Sequence, residues 1–439
     1  MTTPSSAAAE PLSTAEERLV RAIAGRHGAL LQDLEQLVNI PTGRAPHPAA
    51  LDGLAQTRTF MRSRLEALGA VSEMVPGDPR PGWLDGPVHF RDRNRVPAPI
   101  PATLVCRREG VRGNARPVLL SGHLDTVHDP DPAAEFRSLS ISADRKTATG
   151  PGVVDMKGGL VIALHALEAL AEVGLEAPFG FILNSDEETG SFHSDRSLRA
   201  EASRRAPDGA CVYAAALALE PASGPTGLVV ARGGSGQAVL EARGRAAHVG
   251  RDFASGRSAT DLLARVIVAA HGMNDAARGS IVNVSTLWCD QPANQVSDHA
   301  AAWANLRYPT QPAGEHLAAG LSQICARVGG DDVDAGGVRC ETSLIRPAKP
   351  LTPAVQSLAE HVRSAAGVLG QTVTFTSTAG VCDGNNLQAG VADGSLPVLD
   401  TLGVRGGGLH TPEEWIDLGS LVERCQLLAL VMHRLASAG

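Results

Sequence analysis

Apolar positions recur at roughly helical spacing from Thr14 onward, at Leu19, Ile23, Leu30, Leu31, Leu34, Leu37 and Val38. The spacing predicts an N-terminal helical region, with Thr14 as its cap and Glu17 three residues on. A second helix is predicted over 51–68. Short apolar strands at 118–120, 179–183 and 214–219 then alternate with a helix at 158–173. That alternation predicts an α/β fold, a doubly wound and mainly parallel sheet with helices on both faces. From residue 237 the texture changes to apolar–polar alternation, as in a half-exposed strand. An amphipathic helix at 259–273, strands at 280–288 and 300–308, and a helix at 315–328 follow. These predict a smaller α+β unit inserted at 233–345, between the two parts of the main domain at 14–232 and 346–439. After the insertion come a helix at 353–368, strands at 372–376 and 396–402, and a closing helix at 418–435. Residues 76–101, crowded with Pro, Gly and charge, read as a surface loop or insertion.

Composition narrows the function classes. With 439 residues, 43% hydrophobic and 20% charged, the chain can bury a sizeable core. A net charge of −8 with no Lys/Arg block argues against a nucleic-acid partner. No apolar run reaches membrane-spanning length, so no membrane partner is expected. The first residues lack the basic and apolar regions of a secretory signal. The seven cysteines are scattered without a C-x-x-C pair. Neither a disulfide framework nor a thiolate zinc site is expected, and a cytoplasmic location fits.

The acidic and histidine residues are the informative ones. In an open α/β sheet, ligands bind beyond the carboxyl ends of the strands. Strand 118–120 runs into SGHLDTV, which carries His123 and Asp125. A Gly-rich turn, GPGVVDMKGG, sets Asp155 ahead of a helix. Strand 179–183 leads into NSDEETG with Glu187 and Glu188, and strand 214–219 ends at Glu220. The strand at 396–402 leads through GGGL to His410. Imidazoles and carboxylates are what adjacent divalent zinc ions ask for, and a carboxylate has two oxygens with which to bridge them. Two such ions could hold one hydroxide, polarise a carbonyl and stabilise an oxyanion.

At these residues the chain resembles the di-zinc metallopeptidase family of glutamate carboxypeptidase, acetylornithine deacetylase, succinyl-diaminopimelate desuccinylase, aminoacylase and carnosinase. The segments 121–127, 150–159 and 186–190 carry the resemblance, which extends from about residue 14 to the end. It implies two Zn²⁺ per subunit, with Co²⁺ or Mn²⁺ as alternatives. His123 and Glu220 would hold one ion, Glu188 and His410 the other, and Asp155 would bridge them. Asp125 would orient the His123 ring, and Glu187 would be the general base. In the inserted unit, which resembles the family's lid and dimerisation domain, GRAAHVG supplies His248, expected to reach a partner subunit's substrate. Asn294 and Arg307 match substrate contacts, Arg307 gripping a free carboxylate.

The resemblance therefore implies a homodimer acting on a small molecule with a free carboxylate. The reaction would be hydrolysis of an N-acyl amino acid or a C-terminal glutamate-type amide. A biosynthetic deacylase of acetylornithine or succinyl-diaminopimelate, a dipeptidase, and a binding protein without turnover stay open as alternatives. One departure bears on specificity: Val381 and Cys382 stand where the family often carries hydroxyl residues.

Overall fold

A computed structural model of the chain describes residues 11–43, 47–84, 99–109, 115–131, 133–175, 177–329, 337–391 and 393–437. Most of the insertion expected at 76–101 lies outside the described residues.

The strands of the two largest sheets are, in chain order, β1 (Val71–Val75), β2 (Thr103–Arg108), β3 (Val118–His123), β4 (Phe179–Asn184), β5 (Ala215–Ala218), β6 (Gly234–Arg243), β7 (Ile281–Trp288), β8 (His299–Tyr308), β9 (Val338–Arg346) and β10 (Val398–Leu399). The central sheet has six strands in the order β1-β2-β4-β3-β5-β10. The β4-β3-β5-β10 part is parallel, and β1 and β2 add an antiparallel edge. Successive side chains of a strand face opposite layers. Accordingly Val118 and Leu120 join one apolar cluster, and Leu119 joins another on the far face. The doubly wound architecture expected from the sequence is present, with an additional antiparallel edge.

The helix Gly158–Glu172 is buried around nearly its whole circumference and packs on the closing helix Gly419–Ser437. Each fully buried Leu, Val or Ile contributes about 1.5–3 kcal/mol. Leu160, Val161, Ile162 and Leu164 are all fully buried, so this helix is a fixed support for the turn before it. Among the described residues no helix is long and apolar enough to cross a membrane.

The inserted α+β unit is an antiparallel sheet in the order β7-β8-β6-β9, with helices Ala259–His271 and Gln311–Gly329 packed against it. Their shared core includes Leu240, Leu263, Val266 and Ile324.

Several local expectations are corrected. The N-terminal pattern is two helices, Thr14–Ala24 and His27–Val38, because the chain turns at Gly25 and Arg26. Ser13, not Thr14, is the cap: its hydroxyl accepts from the Glu16 N–H while Glu16 accepts from the Ser13 N–H. The strand expected at 396–402 is only Val398–Leu399, since Thr401 takes a left-handed backbone, with φ of +65°, that breaks the extended run. The strand expected at 372–376 lies at Thr374–Thr378, where it pairs in parallel with Gly227–Arg232.

Candidate metal centre

The five expected metal-binding residues meet at the carboxyl edge of the central sheet. His123 is the last residue of β3, and Glu220 lies just past β5. Asp155 sits in the turn Val153–Lys157, Glu188 in the turn Glu187–Thr189. His410 comes from the loop between the short strands Gly406–Gly407 and Trp415–Asp417, with φ of +64°. Few non-glycine residues occupy that left-handed region.

Candidate ligand atoms of His123, Asp155 and Glu220 all lie within 4.8 Å of one another, as do those of Asp155, Glu188 and His410. Asp155 belongs to both groups. Its Oδ1 is 3.2 Å from His123 Nε2, and its Oδ2 is 3.6 Å from His410 Nε2. The two oxygens of one carboxylate thus face different imidazoles. His410 Nε2 is also 3.3 Å from Glu188 Oε2.

The electrostatics fit a cation pair. Burial pushes Glu220 well above the usual carboxylate range, and the Asp155 charge adds to it. Burial also lifts Asp125 to about 8, against the pull of His123. Burial lifts Glu187 to about 7, against Arg346 and His123. The Asp155 and Glu188 carboxylates raise His410 to about 10. For His123 burial works downward, but Asp155 and Glu220 outweigh it and raise the imidazole. So many buried carboxylates need compensating positive charge. Divalent cations would supply it with the imidazoles neutral. The buried Glu188 Oε1 accepts no hydrogen bond among the described residues, which suits it to a cation.

Three carboxylates and one guanidinium hold this arrangement from outside. The Asp125 carbonyl accepts from His123 Nδ1 at 2.9 Å, which fixes the tautomer and leaves Nε2 free to ligate. The Asp125 carboxylate is 3.6 Å from that ring nitrogen. Its hydrogen bonds come instead from the backbone N–H groups of Glu187 at 3.3 Å and Glu188 at 3.0 Å. The residue expected to orient one imidazole therefore also fixes the turn that carries the other acids.

Glu414 and Arg346 were missed by sequence reasoning. The buried Glu414 carboxylate accepts from the N–H groups of Gly152, Val154 and Asp155 at 2.8–3.0 Å, and lies 2.5 Å from His128 Nε2. It ties the His410 loop to the Asp155 turn. Arg346, the last residue of β9, donates to Glu187 Oε1 at 2.6 Å and to the Glu187 carbonyl at 3.0 Å. The same guanidinium donates to Asp383 Oδ1 at 2.8 Å. Asp383 also accepts from Asn184 and Ser191. The only sequence signal for Arg346 is its position where the inserted unit rejoins the main sheet.

Backbone contact brings Glu220 into place. A Cβ on Gly159 would stand 2.2 Å from the Leu219 carbonyl oxygen, and one on Gly403 would stand 2.6 Å from that of Glu220. Glycine is required at both positions, because any side chain would push the Glu220 segment out of the cluster.

The remaining expected residues divide. Arg307 and Arg346 both pair with Ser235, from opposite sides of β6. Paired residues of neighbouring strands share a sheet face, so Arg307 lies on the face from which Arg346 reaches Glu187. Its Nε donates to Asn305 at 3.0 Å. His248 and Asn294 lie together, linked by the Val249 N–H to Asn294 carbonyl bond, and both are exposed. They lie beyond Arg243, which is eight residues or roughly 26 Å along β6 from Ser235, the end at which Arg346 reaches Glu187. Cys382 caps the helix Asp383–Ala389, its sulfur accepting from the Gly384 N–H at 3.3 Å. The thiol thus performs the local capping that a hydroxyl performs elsewhere.

A mainly parallel sheet with paired carboxylate–imidazole clusters at its carboxyl edge defines a class of metal-dependent hydrolases. The chain belongs to peptidase family M20/M25/M40, which it matches over residues 119–434. It is 26% identical over 433 residues to carboxypeptidase G2 of Pseudomonas sp. (strain RS-16), covering 95% of this chain and 92% of that protein. Its fold is similar to that of the di-peptidase Dug1p from Saccharomyces cerevisiae, with a TM-score of 0.71, 15% identity, and coverage of 97% and 99% of the two chains. It is also similar to the metallo-carboxypeptidase Sso-CP2 from Sulfolobus solfataricus, with a TM-score of 0.68, 14% identity, and coverage of 93% and 99%.

Proposed function

We propose that the chain is a two-metal amide hydrolase that releases an amino acid with a free carboxylate from an N-acyl amino acid or a C-terminal glutamate-type amide. The single observation that carries this reading is Asp155 shared between two ligand groups. The 26% identity to carboxypeptidase G2 supports the carboxypeptidase direction.

His123, Asp155 and Glu220 would hold one cation, and Asp155, Glu188 and His410 the other, zinc suiting this donor set and Co²⁺ or Mn²⁺ also accepted. Bound there, the pair would supply Lewis acidity and an activated water. Glu187, raised to about 7, is matched to taking a proton from water and handing it to the leaving amine nitrogen near neutral pH. Arg346 holds one Glu187 oxygen and leaves the other for that transfer. Arg307 would pair with the substrate carboxylate through its planar fork.

His248 and Asn294 would complete the site of a partner subunit, making the working enzyme a homodimer. Their place beyond Arg243, at the other end of β6 from the Ser235 that pairs with Arg346, supports this reading.

Release of glutamate from an N-acyl-glutamate, measured before and after chelation, tests the reading. Activity is expected to vanish with the metal and to return with Zn²⁺, Co²⁺ or Mn²⁺; an unchanged rate in chelator would contradict it. Mixing inactive Glu187→Ala and His248→Ala chains tests the dimer. Hybrids should regain activity neither parent has, because one site then combines an intact Glu187 with the partner's intact His248.

A further inference from the structure

We propose that Cys325 and Cys340 are a reversible dithiol–disulfide pair that staples the helix Gln311–Gly329 to β9 when a glutathione-type disulfide is the oxidant.

The backbone geometry sets the two residues opposite each other. A Cβ on Gly329 would stand 2.3 Å from the Val338 amide nitrogen, so the helix end and the strand start touch. The strand then runs back along the helix. Cys325 lies four residues before Gly329, roughly 6 Å along the helix. Cys340 lies two residues after Val338, roughly 7 Å along the strand. Nearly equal displacements bring the side chains together, and Cys340 shares the face of Val338. Both thiols pack into the same apolar cluster, with Leu240, Val266 and Ile324. Both are free, and each lies close enough to influence the other electrostatically.

The pair is chemically asymmetric. Cys325 is buried, whereas Cys340 is half-buried. The neighbouring Cys325 thiol holds Cys340 below its ordinary range, against burial. Cys340 in turn raises Cys325, and burial raises it further. The more accessible Cys340 is the thiolate that attacks, and the buried Cys325 is the thiol that resolves. In the first step Cys340 sulfur bonds to one sulfur of the oxidant, the oxidant's S–S bond breaks, and one glutathione leaves with the proton Cys340 shed. In the second, Cys325 sulfur attacks Cys340 sulfur, closes the protein disulfide, and the second glutathione leaves with the Cys325 proton. The protein loses two electrons and two protons, and the oxidant gains them.

The test is incubation of the full chain with oxidised glutathione, followed by non-reducing peptide mapping in a mass spectrometer. The expected product is a 325–340 cross-linked peptide, lighter by two hydrogens and lost on adding dithiothreitol. Cys325→Ala, which avoids burying an unpaired hydroxyl, should stop with glutathione trapped on Cys340. Cys340→Ser should leave Cys325 reduced. Cys289 is exposed and serves as an internal control, since its glutathionylation proves the reagent active. Glutathione on Cys289 with Cys325 and Cys340 both reduced would overturn the proposal. So would glutathione remaining on Cys340 of the native chain without closure.

Discussion

Glu187 is paired at 2.6 Å to an arginine that also holds Asp383, so its position depends on residues of both the main sheet and the inserted unit. Glu187→Gln is expected to cut hydrolysis by roughly 10²–10⁴-fold while metal content, read by atomic emission, stays at the wild-type level. Arg346→Met leaves two buried carboxylates without their cation. It is expected to cost about 3–5 kcal/mol in denaturant unfolding, with Arg346→Lys restoring part of it. At this scale the sequence is legible only in part. His123, Asp155, Glu188, Glu220 and His410 stand out because each follows a strand or a Gly-rich turn, where an α/β sheet gathers its ligands. Arg346 and Glu414 do not, because Glu187 lies 159 residues from the one and Asp155 259 residues from the other, and nothing local marks a buried charge.

At the scale of elements, the Asp155 turn is held by Glu414 and the Glu187–Glu188 turn by Asp125. Glu414→Gln keeps the size but replaces one acceptor oxygen with a donor, and the two oxygens between them face three N–H groups. It is expected to weaken metal binding roughly 10–100-fold, measured by competition with a chromogenic chelator. The first helix gives a pH test. Glu16 lies against Arg434 of the closing helix and caps with Ser13, and these hydrogen bonds outweigh burial and hold its carboxyl down to about 2. The folded value is below the unfolded one, so this contribution is fully present above about pH 4.5 and is lost as pH falls towards 2. Glu16→Gln should therefore lower Tm at pH 6, with the gap to wild type narrowing across that window. The helix expected at 353–368 is present as Pro353–Val368, where the Thr352 hydroxyl accepts from the Val355 N–H and a Pro opens the first turn. The short Val398–Leu399 strand is misjudged because the left-handed backbone at Thr401 ends it, and an apolar run does not reveal that.

Over the whole molecule, the parallel sheet was legible from the alternation of apolar strands and helices, and the added unit from its change of texture at 237. The antiparallel edge formed by β1 and β2 was not, because Val71–Val75 is largely exposed and carries no apolar run. The arrangement as a whole directs separate loops onto one shared carboxylate. Anomalous diffraction at the zinc edge, from crystals of the zinc-loaded chain, tests that most directly. Two peaks about 3.5–4 Å apart are expected, one on each side of Asp155, between His123 and Glu220 and between Glu188 and His410. Zinc bound elsewhere with no peak at Asp155, or a single peak that Asp155 does not touch, would contradict the account.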